Sequence, residues 1–154
     1  MKRQIKSFAN AFKGIAAAFL TESHMRFHFV AAFFVLLFAY ISRMDFLGWA
    51  VLILTIGMVF AAELINTAIE KTCDLYSTEH NPLIGKIKDI AAGAVLVASI
   101  AAIGVAIFTF VFSGKLVYAW ERLLRHPLYF IPLGICIICS VLFVIFGGIK
   151  NTKK

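Results

Sequence analysis

The stretch that decides the fold is FLGWAVLILTIGMVFAAELINTAIEKTCD, residues 46–74. Its first part, residues 46–65, is apolar apart from isolated small or polar positions, and about 20 such residues form a helix long enough to cross ~30 Å of hydrocarbon. Polar residues then recur at regular steps along the second part. The stretch therefore predicts a membrane-spanning helix that ends in a polar ladder.

Three further apolar segments surround this stretch. The four predicted spans are roughly residues 25–41, 46–65, 90–112 and 128–149, of which the first is the shortest. A hydrophobic fraction of 62%, with 16 Phe and a mean hydropathy of +0.92, is far from the composition of soluble proteins. We therefore expect an all-α integral membrane protein with four transmembrane helices.

The N-terminal segment is basic and has no continuous apolar core, so a cleavable signal peptide is not expected. Apolar side chains recur there every three or four residues, at Ile5, Phe8, Phe12, Ile15 and Phe19. This period predicts an amphipathic helix on the membrane surface. The alternative is a partly ordered basic tail.

The distribution of Lys and Arg predicts the orientation. With the N-terminus inside, the inner segments carry eleven of these residues and the outer ones four, which favours a multi-pass protein of the inner membrane with both termini cytoplasmic. The basic segment 113–127 opposes this assignment. The net charge of +7 is explained by topology and anionic lipid, and the sequence has no nucleic-acid-binding motif.

Six of the eight carboxylates are expected at or near the cytoplasmic ends of the first three spans. Glu63 interrupts an otherwise apolar run, and acidic side chains within a span are functional candidates because they are costly to insert. Glu63, Asn66, Glu70 and Asp74 occupy an arc of about 80° on one helical face and a height of about 16 Å. Stacked carboxylates repel each other, so a hard cation such as Mg²⁺ is the expected partner.

The segment that follows, residues 75–87, is predicted to be a loop, with Lys88 just before the third span. A lysine there can neutralise a phosphate, and the first turn of the next helix offers unpaired N–H groups. Taken alone, an ordinary anchoring role for Lys86 and Lys88 is favoured. Nucleotide motifs such as the P-loop are absent from the sequence, and the C-x-x-C at 136–139 lies within an apolar span and is interpreted as packing.

Small residues repeat every four positions along the third span, at Ala94, Ala98, Ala102 and Ala106. This spacing allows helix backbones to approach closely. It predicts a tight bundle and is compatible with an oligomer.

The sequence closely resembles the prokaryotic diacylglycerol kinase family. The resemblance is carried by Glu63-Leu-Ile-Asn66-Thr-Ala-Ile-Glu70-x-x-x-Asp74, by Lys88-Asp89-Ile-Ala-Ala-Gly, and by Glu22-Ser-His-Met-Arg26-Phe-His28. It covers about residues 3–112 and is nearest to the undecaprenol kinase branch. It implies a small homotrimeric inner-membrane enzyme that phosphorylates a lipid alcohol with ATP and Mg²⁺.

The resemblance also implies residue roles. Glu63 matches the general base, and Glu22 and Glu70 match metal-binding carboxylates. Residues that match the nucleotide site are Asn66, Lys88 and Asp89, with Arg3, Glu79 and Asn81 at positions that approach ATP; Asp74 is a further residue of the polar face. Independent chemistry agrees, because phosphoryl transfer needs mainly positioning and charge neutralisation.

The chain departs from the family pattern after residue 112. We therefore expect a lipid kinase core at 1–112, followed at 113–154 by a loop, an additional fourth transmembrane helix and a basic tail. A peripheral anchor is favoured for that helix over a role in shaping the substrate site. The expected reaction converts undecaprenol into undecaprenyl phosphate, with a diacylglycerol kinase as the alternative and a small proton-coupled transporter as a more distant one.

Overall fold

A computed structural model describes residues 2–76 and 81–148. Its helices are α1 (Lys2–Thr21), α2 (Ser23–Ile41), α3 (Phe46–Tyr76), α4 (Pro82–Ala106), α5 (Lys115–Arg125) and α6 (Phe130–Phe146); a π-helical turn, Ile107–Phe112, extends α4, and a 3₁₀ turn, Pro127–Tyr129, precedes α6. The described residues contain no strand.

Four of these helical segments are long and apolar enough to cross a membrane: Ser23–Ile41, Phe46–Tyr76, Pro82–Phe112 and Pro127–Phe146. The predicted architecture is confirmed: the protein is an all-α, multi-pass membrane protein with an N-terminal amphipathic helix, three core spans and an additional C-terminal span.

Helix α1 presents its apolar stripe outward, with Ile5, Phe8 and Phe12 about two-thirds exposed. Its C-terminal end is the part that packs, since the Phe19 ring meets Phe29 of α2 at 5.0 Å and Phe143 of α6 at 5.5 Å. An outward apolar stripe on a helix fixed only at one end suits a helix lying in the membrane interface.

Helices α3 and α4 are longer than their apolar runs. At 1.5 Å per residue the 31 residues of α3 measure about 46 Å, so α3 exceeds the ~30 Å of hydrocarbon and carries its polar end beyond it. The predicted loop 75–87 is wrong: α3 continues to Tyr76, and α4 starts at Pro82 because the Asn81 side chain accepts a hydrogen bond from Leu83 N–H at 2.9 Å. Lys88 is therefore well inside α4 and not beside its first turn.

Only some of the small residues of α4 pack against neighbouring helices. Ala91 is buried, Ala106 packs against the buried cluster of Ala39, Met44, Leu52 and Phe110, and Ala94 is exposed. The buried cluster joins the end of α2, the start of α3 and the π-helical turn, where the Phe38 and Phe110 rings meet edge to face at 5.0 Å. It is small, and most large apolar side chains face outward, as expected where lipid replaces water.

The segment expected to be a loop after residue 112 contains helix α5, which runs beside the end of α2. Lys115 Nζ donates to Arg43 O and Arg122 Nη1 to Ile41 O, each at 2.9 Å. Cations at a helix C-terminus bind its unpaired carbonyls and favour its dipole. Two of the four basic residues in the segments predicted to be outside, Lys115 and Arg122, therefore cap α2.

Helix α6 packs along α2 and ends near its beginning, where Val144 O accepts a bond from Arg26 Nη2 at 3.5 Å. Helix α5 lies at the opposite end of α2. The end of α6 and the α1–α2 junction consequently lie on the same side of the bundle, as an even number of crossings requires.

Candidate active site

Glu63 is buried within α3, with 3% of its surface exposed. Its Oε2 lies 3.9 Å from Nε2 of His28, which projects from the first turns of α2. This distance is too long for a hydrogen bond, but it places a titratable imidazole next to the buried carboxylate. The sequence carries one signal for this contact, because His24 and His28 are four residues apart and follow Glu22.

Asn66 and Glu70 continue the polar ladder one and two turns further along α3. Asn66 is buried, and its Nδ2 donates to Glu70 Oε1 at 3.1 Å. Its Oδ1 is buried without a hydrogen-bond partner among the described residues. A buried oxygen without a partner costs free energy unless something binds it, so the ladder holds an acceptor available to a ligand.

Glu22 is brought to the same helix by a contact across 49 residues of sequence. It occupies the junction between α1 and α2, and its Oε1 accepts bonds from Lys71 Nζ and Thr21 Oγ1, each at 2.8 Å. The hydrogen bond from Lys71 holds the pKa of the Glu22 carboxyl below its usual range, against the opposing effect of partial burial. Glu22 is thus an ionised carboxylate at neutral pH.

Glu63, Asn66 and Glu70 lie along one face of α3, with His28 beside Glu63 and with Glu22 bonded to Lys71 of the same helix. Among residues 2–76 and 81–148 no three His, Cys, Asp or Glu side chains lie close enough to form a complete metal site by themselves. A magnesium ion needs less, because it typically takes one or two carboxylates and completes its octahedron with water and substrate phosphates. Glu22 and Glu70 carry carboxylate oxygens of the kind that this ion prefers, and Asn66, which contacts Glu70, adds an Oδ1 without a partner among the described residues.

The remaining predicted site residues are more dispersed. Lys88 Nζ of α4 donates to Asp74 Oδ1 at the far end of the ladder, which joins α4 to the polar face of α3. Asn81 caps α4, and Arg3 and Asp89 are exposed on α1 and α4. Glu79 lies outside the described residues. The structure thus brings Glu22, Glu63, Asn66 and Glu70 together, pairs Asp74 with Lys88, and does not add Arg3 or Asn81 to this cluster.

An apolar cavity of about 310 Å³ lies between α2, α3 and α4, beside the buried carboxylate. His28 forms part of its wall, together with Val59 one turn before Glu63 and with Ala102 and Ala106 of α4. Thr55 and Ser99 are its other polar residues. A hydrocarbon chain in this cavity could carry a terminal hydroxyl as far as His28, the residue that contacts Glu63 at 3.9 Å.

Comparison with known proteins agrees with this geometry. The sequence model of the family described as prokaryotic diacylglycerol kinase matches residues 9–110. The chain is 41% identical to the undecaprenol kinase of Bacillus subtilis (strain 168) over 110 residues, which cover 70% of this chain and 89% of that protein.

Two further relatives are named diacylglycerol kinases. That of Helicobacter pylori (strain ATCC 700392 / 26695) is 37% identical over 64% of this chain and 77% of its own length, and that of Escherichia coli (strain K12) is 33% identical over 66% and 83%. No solved structure matches the chain significantly. The match to the family model covers most of α1, all of α2, α3 and α4, and part of the π-helical turn, and stops before α5 and α6.

Proposed function

Because the chain belongs to the prokaryotic diacylglycerol kinase family and is a lipid kinase, we propose that it phosphorylates undecaprenol to undecaprenyl phosphate with ATP. The similarity to an undecaprenol kinase over most of that relative's length favours this alcohol. The observation that carries the proposal is the apolar cavity whose wall includes His28, because His28 Nε2 lies 3.9 Å from the buried Glu63 carboxylate.

In this proposal Glu63 accepts the proton of the lipid hydroxyl as the oxygen attacks the γ-phosphate of ATP. Glu63 Oε2 lies 3.9 Å from His28 Nε2, and the apolar side chains around His28 would limit the access of water, which would otherwise compete as the phosphate acceptor. A positioned base of this kind typically contributes about 10²–10⁴ to the rate.

Glu22 and Glu70, with Asn66 Oδ1, would hold Mg²⁺. The ion supplies charge neutralisation for the phosphates of bound ATP. Lys88, with Asp89, Arg3, Glu79 and Asn81, is proposed to approach the nucleotide from the polar side. Asp74 positions the Lys88 ammonium through their hydrogen bond.

We place the reaction at the cytoplasmic face of the inner membrane, with both termini cytoplasmic. The α1–α2 junction and the end of α6 lie on a common side, and the excess of Lys and Arg on that side supports its assignment to the cytoplasm. ATP is then available to the polar end of α3, and the lipid alcohol to its apolar side. A homotrimer is proposed from the family resemblance, in keeping with the exposed apolar faces of α3 and α4.

The test incubates purified protein with labelled Mg-ATP and either undecaprenol or diacylglycerol, in micelles of equal composition. The expected result is label transfer to undecaprenol at several times the rate for diacylglycerol. A preference for diacylglycerol would overturn the substrate assignment while leaving a lipid kinase, and absence of transfer to both lipids would overturn the activity. Flux of protons through the protein in vesicles without ATP, dependent on Glu63, would support the transporter alternative instead.

A further inference from the structure

Two adjacent cavities lie at the opposite end of the bundle from Glu63. The first, about 340 Å³, is formed by α2, α5 and α6 together with the end of the 3₁₀ turn before α6, and its wall includes Phe33, Leu37, Leu133 and Cys136. The second, about 140 Å³, is polar and lies on α5. The polar cavity lies wholly beyond the residues that match the family, and the apolar one is completed by residues of α5 and α6 beyond them.

Arg122 belongs to both cavities. It is half-buried, and its Nη1 donates a hydrogen bond to Ile41 O. This bond fixes the guanidinium at the boundary between the apolar and the polar cavity. A guanidinium has five N–H donors, so most of them are available after this contact. Among the described residues no carboxylate pairs with Arg122.

The polar cavity is basic on balance. Besides Arg122 it is lined by Arg125, His126, Tyr118 and one carboxylate, Glu121, which pairs with Arg125 at 3.5 Å. Glu121 therefore offsets the charge of Arg125 and leaves that of Arg122. An anion placed here would meet an uncompensated guanidinium, which binds phosphate in a bidentate geometry.

The depth of the two cavities follows from the ends of the spans. Tyr40 at the end of α2 and Tyr129 before α6 both line the apolar cavity, and tyrosines at the ends of spans mark the membrane–water boundary. The apolar cavity therefore extends into the hydrocarbon, whereas the polar one lies at the level of the headgroups. A ligand that fills both must be an amphiphile with an anionic head.

We propose that these cavities together form a binding site for one anionic phospholipid in the leaflet opposite the active site. An acyl chain occupies the apolar cavity between α2 and α6, and the phosphate binds Arg122. The bound lipid fills the space between α6 and α2 and so holds the additional helix against the kinase core. This site is separate from the proposed kinase site and does not depend on the lipid that is phosphorylated.

The experiment measures phospholipid retention by native mass spectrometry of the purified full chain. Phosphatidylglycerol and phosphatidylcholine with identical chains are added separately to the parent, to Arg122→Gln and to Leu133→Trp, which fills the apolar cavity and leaves Arg122 intact. Lys115→Gln is the matched control, because Lys115 also caps the end of α2 but lines neither cavity.

The parent is expected to retain one phosphatidylglycerol per chain in preference to phosphatidylcholine. Arg122→Gln should weaken phosphatidylglycerol binding about tenfold or more, the effect of losing a hydrogen bond to a charged group. Leu133→Trp should weaken binding of both lipids, and Lys115→Gln should leave both unchanged.

Equal losses in Arg122→Gln and Lys115→Gln would overturn the proposal in favour of diffuse surface charge. Unchanged binding in Leu133→Trp, together with displacement of the lipid by inorganic phosphate, would indicate a site for the anion alone. A change of oligomeric state in Leu133→Trp without any loss of lipid would identify a second copy of the chain as the occupant. Each of these results contradicts a phospholipid site.

Discussion

Replacing Glu63 by Gln is the sharpest test of the active site, because the structure separates its chemical effect from its structural one. Glu63 is 3% exposed, and Gln has nearly the same shape, so the packing of α3 is retained. What is lost is the proton acceptor beside the lipid hydroxyl. Since a general base typically contributes about 10²–10⁴ to the rate, phosphoryl transfer should fall about 100- to 10,000-fold.

Stability should change in the opposite direction or not at all. An acidic side chain costs roughly 2.5–3.5 kcal/mol at the centre of a membrane helix and less towards its edge, and a neutral amide avoids part of this cost. The 3.9 Å contact with His28 is too long for a strong hydrogen bond, so its loss should not offset the gain. Glu63→Gln is therefore expected to unfold at the same temperature as the parent or a higher one.

The assay measures transfer of labelled γ-phosphate to undecaprenol, together with thermal unfolding in the same detergent. Glu121→Gln is the matched control: the same substitution on the exposed surface of α5, where activity should remain within twofold of the parent. Activity of Glu63→Gln within tenfold of the parent, with unfolding unchanged, would refute the role of Glu63 as the base.

Three further predictions concern the carboxylate at the α1–α2 junction, the cap of α4 and the packing of α6. Glu22→Gln should raise the Mg²⁺ concentration needed for half-maximal activity several-fold, more than Lys71→Gln does, because a carboxylate oxygen binds the ion and the ammonium does not; equal effects in a Mg²⁺ titration would contradict a metal role. Asn81→Ala should lower the free energy of unfolding by about 1 kcal/mol through loss of the α4 cap, and Asn81→Ser should restore most of it in denaturant titrations. Phe143→Ala should lower the free energy of unfolding by about 0.5–1.5 kcal/mol in addition to the effect of lost apolar burial, because it removes the ring contact between α6 and Phe19 of α1. Unchanged thermal unfolding would show that this ring contact does not stabilise the packing of α6.

The spans were predictable because apolar content over about 20 residues is sufficient to identify a membrane helix. Their ends were less predictable, because capping and charge decide them. Asn81 and Pro82 are a start signal for α4, but the polar residues after them suggested a loop. Helix α5 was missed for a related reason: it is short, and its charged residues belong to one face of an amphipathic helix.

The polar ladder illustrates what a helical period alone can predict. Glu63 and Asn66 are buried, Glu70 is half-buried and Asp74 is exposed, as expected for a helix that leaves the membrane along this face. The partners of the ladder could not be predicted from spacing. The contacts of Glu63 with His28 and of Lys71 with Glu22 join different helices, and only the packing of α1 and α2 on α3 brings them together.

The contacts of Arg26 bear on the two roles considered for the additional helix α6, a peripheral anchor or a part of the substrate site. Arg26 is buried at 5% exposure, and its guanidinium donates to Leu20 O at the end of α1 and to Val144 O at the end of α6, at 3.3 and 3.5 Å. One cation thus caps two helix C-termini, four residues from Glu22. The cavity beside Glu63, in contrast, is lined by α2, α3 and α4. The end of α6 contacts the α1–α2 junction through Arg26, and no residue of α6 lines that cavity. These contacts favour a role for α6 in anchoring the junction over a role in shaping the substrate site.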